Sequence, residues 1–185
     1  MAYVHSFPDL QFIDPVACAR GVLSRNWNGF LPVDPSWLAA AEGADVRGEA
    51  YLNDIPGGPL SGAFGYENGR PTIVYNPYEH ANRQRFTIAH ELGHMMCSHL
   101  RGEDGNALFR DPAANFTGDV TDPRETEANQ FAAEILMPEE AVRHLVRSWH
   151  TPSIRYLATQ FQVSTQAMNF RLINLGLINP YNAEY

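Results

Sequence analysis

The chain has 185 residues, 44% of them apolar, which suits one domain with a full core. Its formal net charge of −8 argues against general affinity for phosphate backbones. No apolar run nears the ~18 residues that span a bilayer, and residues 1–6 lack the basic and apolar regions of a secretory signal, so a cytoplasmic protein is expected. Two cysteines, Cys18 and Cys97, make no disulfide framework and are expected as buried free thiols. The charge is uneven. Residues 1–140 carry nine Arg against twenty acidic residues, and residues 141–185 carry four Arg against Glu184 alone. Every basic residue is Arg.

Asp14-Pro15 pairs an N-cap with Pro at the first helical position and predicts a helix to about Arg25. Asp34-Pro35 repeats the signal for a short helix, 36–41. A strand is expected over 46–52 and a loop over 53–59. Residues 60–66 and 71–75 have strand character, and Asn68-Gly69 between them is a strong hairpin signal. A helix then runs to about His99. Residues 101–123 show no period, and a loop of that length is expected. Further helices are expected from Pro123 to Met137, from Pro138 to Trp149, and over 153–161 and 164–174.

The chemistry concentrates in Arg85-Phe86-Thr87-Ile88-Ala89-His90-Glu91-Leu92-Gly93-His94. Residues four apart share a helix face, so His90 and His94 present two imidazoles to one point. Imidazole is a good Zn²⁺ ligand. Glu91 lies ~100° around the helix and flanks that point, where a general base would act on a metal-activated water. Gly93 permits close packing beside the site. Cys97 and His99 are read as a core thiol and a surface residue.

A catalytic zinc needs a third protein ligand. The helix from Asp122 offers Glu125, Glu127 and Glu134. Glu125 and Asn129 share a face, and Ala128, Ala132 and Ala133 would let this helix approach closely. Glu125 is favoured as the ligand, with Glu127 as the rival. Asn129 would then hydrogen-bond a ligand histidine.

Those two stretches, together with 61–66, 72–76 and 157–178, resemble the ImmA/IrrE family of metallopeptidases over roughly residues 30–178. The resemblance implies an α+β fold, with a zincin-like, thermolysin-like core of a small three-stranded sheet on the active-site helix. It implies Zn²⁺ held by His90, His94 and Glu125, with Glu91 catalytic. It also implies a regulatory protein as substrate, a helix-turn-helix repressor or antitoxin, and a link to stress response, mobile elements or toxin–antitoxin pairs. A repressor-type N-terminal domain and a long C-terminal sensor domain, present in some relatives, are not expected in this chain. The alternative is a non-proteolytic, metal-containing regulator that binds DNA or a repressor.

Domains are expected at 1–150, the metallopeptidase core, and 151–185, a helix-turn-helix-like segment. DNA contact through 153–174 would use Thr165, Gln166, Asn169 and Arg171. A packing role burying Phe161, Val163, Met168 and Leu172 is preferred. An extended substrate is expected along the 73–76 strand as a sheet edge. Tyr78, His80 and Arg83 are the candidates to stabilise an oxyanion.

Overall fold

A computed structural model describes residues 14–55, 58–97, 109–112, 122–148 and 152–179. The expectations for Met1–Ser6 and His99 lie outside these residues. Helices α1 (Pro15–Asn26), α2 (Pro35–Ala41) and α4 (Pro123–Leu136) begin in one way. Pro at the first position gives up an N–H that would have no partner. The preceding Asp14, Asp34 or Asp122 carboxylate accepts from the next free N–H groups, at 2.9–3.3 Å.

Strands β1 (Asp45–Gly48), β2 (Leu60–Glu67), β3 (Arg70–Tyr75) and β4 (Phe109–Pro112) form one sheet in the order β1-β3-β2-β4. The β2–β3 hairpin closes as expected. Asn68 and Gly69 both have positive φ, 50° and 77°, which matches the right-handed twist of the paired strands. β1 runs parallel to β3 and ends at Gly48, short of Leu52. Ala50–Asn53 instead make one 3-10 turn that buries Leu52.

Two sequence expectations are corrected. The stretch expected as loop contains β4, which gives the sheet a fourth strand and pairs antiparallel with the outer side of β2. And β3 is not an edge: β1 and β2 occupy its two sides. Among the described residues the edges are β1 and β4. The β1 edge carries Arg47, whose guanidinium fans to Asp45, Glu49 and Glu67 at 2.6–2.7 Å.

Helix α3 (Ala81–Met96) lies between the β2–β3 hairpin and α4. It stops at Met96, short of His99. α1 backs α4, and α2 backs α3. After α5 (Glu139–Ser148), α6 (Ile154–Phe161) and α7 (Thr165–Asn174) pack as a pair. Phe161, Val163, Met168 and Leu172 are buried, as the packing reading expects, and they join the cluster that holds Leu92, Phe131 and Ile135.

Arginines fasten that pair to the rest. Arg171 is buried on α7 and donates to the Glu134 carboxylate of α4 and, at 3.0 Å, to the Met137 carbonyl. Arg20 of α1 meets the same carboxylate at 3.1 Å. Arg143 reaches the Leu175 carbonyl at 3.0 Å. Arg85 of α3 donates to the carbonyls of Val33 (2.6 Å) and Gln162 (3.3 Å). Gln162 is the left-handed residue, φ 51°, at the α6–α7 turn. Among the described residues, no helix is long and apolar enough to cross a membrane.

Replacing Glu134 by Met should cost about 3–5 kcal/mol, since Arg171 would stay buried without its carboxylate. Glu134→Met with Arg171→Leu should recover most of that loss. Urea unfolding midpoints of the two variants check it.

Candidate metal centre

The site depends on how closely two helices approach. A Cβ on Gly93 would stand 3.1 Å from Ala128 Cα, 3.2 Å from Ala128 O and 3.3 Å from Phe131 Cβ. Backbone therefore meets backbone where α3 crosses α4, and a side chain larger than glycine's would force Ala128 or Phe131 to give way. His94 adjoins Gly93, His90 and Glu125 lie nearly a turn before Gly93 and Ala128, and these ligand candidates face each other across that crossing.

His90, His94 and Glu125 are all buried, and their nearest donor atoms lie within 4.8 Å of one another. His90 Nε2 is 3.1 Å from Glu125 Oε2 and 3.0 Å from His94 Nε2. His94 Nε2 is 3.4 Å from Glu125 Oε1. Donors held ~2.0–2.1 Å from one tetrahedral ion stand ~3.3 Å apart, so the spacing fits a single small cation. The chemistry of the donors fits as well. Asn129 Oδ1 lies 3.0 Å from His90 Nδ1, and with the amide in this orientation it is an acceptor. The Nδ1 then carries the ring proton, which leaves the Nε2 lone pair aimed into the triangle. A lone pair and a carboxylate that converge in a dry interior call for positive charge.

Glu91, next to His90 on α3, is fully buried. Its neighbour across the gap is the backbone of β2. A Cβ on Gly62 would fall 2.3 Å from Thr87 Cγ2 and 3.4 Å from Glu91 Oε1. Gly62 thus lets the strand lie against the helix face that carries Thr87 and Glu91. Sequence reading passed over Gly62, although a glycine inside a strand is a signal of close approach.

Glu127 is partly exposed and stands outside the triangle, and Glu134 is taken up by Arg171 and Arg20. Cys97 is not among the three donors. The oxyanion candidates sit toward the other end of α3. His80 caps it, accepting from Asn82 N at 3.2 Å. Arg83 bonds Ser61 Oγ at 3.1 Å, and Tyr78 is exposed. At ~1.5 Å per residue, positions 80 and 83 lie roughly 10–15 Å along the helix from His90.

Residues 56–173 match the IrrE N-terminal-like domain of the Peptidase_M78 family. The chain belongs to this family. It is similar to the radiation response metalloprotease IrrE of Deinococcus radiodurans, at 31% identity over 148 aligned residues, covering 74% of this chain and 42% of that protein. The IrrE of Deinococcus deserti is 35% identical over 121 residues, 59% of this chain and 41% of the relative. The chain therefore spans less than half the length of either relative. A Mycobacterium tuberculosis transcriptional regulator shares the fold, with a TM-score of 0.58 over 88% of this chain and 47% of its own, at 17% identity.

Because Asn129 orients His90, Asn129→Ala should weaken divalent-metal binding by roughly 10–100-fold while the fold is retained. Competition with a chromogenic chelator measures it, and circular dichroism controls for folding.

Proposed function

We propose that this family member is a zinc-dependent endopeptidase acting on a regulatory protein of the helix-turn-helix repressor or antitoxin class, in the cytoplasm. The observation that carries the reading is the buried triangle of His90, His94 and Glu125, with the buried Glu91 next to His90 on the same helix. Three protein donors leave a tetrahedral ion one position for solvent, which is the pattern of catalytic rather than structural zinc. Among the described residues no fourth donor closes the set.

In this reading His90, His94 and Glu125 would hold the ion, and Asn129 would fix the His90 tautomer. The bound ion would supply an acidified water and polarise the scissile carbonyl. Glu91 takes the proton from the attacking water and returns it to the leaving amine. Its burial keeps competing solvent away and strengthens its electrostatic interactions. An extended substrate would add to the sheet at β4 rather than at the internal β3. β4 is the nearer edge, since Asp111 pairs with Gly62, the residue that packs on Glu91.

Residues 1–150 would carry the chemistry and residues 151–185 would brace it. DNA contact through 153–174 loses support. Arg171, the only cation on α7, is buried against Glu134, and Asn169 is buried too. That leaves Thr165 and Gln166 exposed on α7 from the expected reading set.

Glu91→Gln should bind metal as the unmodified chain does and lose cleavage by at least ~10²-fold. His94→Ala should lose both. The assay is co-incubation with the product of an adjacent repressor-like gene, with mass spectrometry to find a single chelator-sensitive cut. Metal bound without any cut, together with regulation that persists in cells carrying Glu91→Gln, would favour the non-proteolytic regulator.

A further inference from the structure

Cys18 lies on α1, and Cys97 is the C-cap of α3. Neither belongs to the metal triangle, and both are free thiols. Cys18 Sγ is 3.8 Å from the carbonyl oxygen of Met96, the residue before Cys97. That contact sets the Cys18 sulfur against the backbone beside Cys97. Cys97 is buried, whereas Cys18 is half-buried.

The pair is also electronically unequal. The hydrogen bond from Cys97 holds the Cys18 thiol down to about 7, against the opposing effect of burial, with Arg25 lowering it further and Glu42 and Asp14 raising it. The same contact, and then burial, push the Cys97 thiol up. Cys18 is thus the readier of the two to lose its proton and Cys97 the readier to keep it, the arrangement of an attacking and a resolving cysteine.

We propose that Cys18 and Cys97 form a peroxide-reactive dithiol whose disulfide fastens α1 to the end of the metal-binding helix. The Cys18 thiolate attacks one oxygen of hydrogen peroxide. The O–O bond breaks, sulfur is oxidised to the sulfenic acid, and hydroxide leaves to become water. Cys97 gives up its proton, and its sulfur attacks the sulfenic sulfur. The S–O bond breaks and a second water departs. Two thiols thus lose two electrons and two protons to one peroxide, which is reduced to two waters.

The place of the link gives it a consequence. Cys97 lies three residues beyond His94, and its N–H, bonded to the Gly93 carbonyl at 2.9 Å, closes the last turn of α3. Helix ends open more readily than helix centres. A covalent tie there restrains the opening that would free His94. This part rests on the proposed metal site; formation of the disulfide does not.

The full chain, loaded with Zn²⁺, is treated with stoichiometric hydrogen peroxide, quenched with N-ethylmaleimide and digested with trypsin. The expected product is a reductant-sensitive linked pair of peptides, residues 1–20 with 86–101, absent from Cys18→Ser. Zinc loss to a chromogenic chelator should slow at least threefold on oxidation, and peroxide should not slow it in Cys18→Ser. Two alkylated thiols after peroxide, or links only between separate chains, overturn the dithiol. A disulfide with unchanged zinc loss overturns the fastening. A chain that takes up no zinc yet forms the linked peptides overturns the metal reading and leaves the dithiol standing.

Discussion

The contact of α3 with α4 at Gly93 and Ala128 is the constraint on which the rest of the structure depends. Two histidines on one helix face define a direction but not a site. The third donor comes from a later helix, 35 residues beyond His90, and Glu125 reaches His90 where no side chain separates the two backbones. Leu92, Phe131, Ala132 and Ile135 pack behind this crossing and are essentially closed to solvent. Their burial supplies the cohesion that keeps three polar groups together in a dry interior, where each would otherwise be costly.

A second set of interactions holds that crossing from outside. Arg85, Arg143 and Arg171 each end on a backbone carbonyl at a turn or helix end. Met137, Gln162 and Leu175 are C-caps, whose carbonyls have no partner within their own helices, and a guanidinium can satisfy two carbonyls at once, as Arg85 does for Val33 and Gln162. The α6–α7 pair is thereby part of the frame around α3 and α4. The residues that make it look like a nucleic-acid reader by spacing are used to build this frame.

Much of this was legible in the sequence because it rests on local chemistry. Asp before Pro fixes three helix starts, Asn68-Gly69 fixes the hairpin, and the spacing of His90 to His94 fixes which face carries the imidazoles. Glu125 over Glu127 followed from helical phase, as did Asn129 behind His90. What was not legible depends on partners distant in the chain. β4 has four residues and no period of its own, so only the free side of β2 makes it a strand. β3 reads as an edge until β1 is placed beside it in parallel. Arg83 is near the motif in sequence, but its position along the helix axis sends it to Ser61 and away from the histidines. Gly62 matters through the side chains opposite it, which its own neighbours do not reveal.

The Arg47 fan makes the sheet directional. A strand border normally invites any extended chain to join it, and unguarded borders are where proteins stick to one another. Here one border is bristling with fixed charge from Asp45, Arg47, Glu49 and Glu67, so an approaching backbone would have to strip hydration and ion pairs before it could bond. The opposite border adjoins Gly62 and Glu91. Self-association is thus discouraged on the β1 flank, and in the proposed reading an extended substrate would be left the other flank, nearer the buried Glu91 carboxylate.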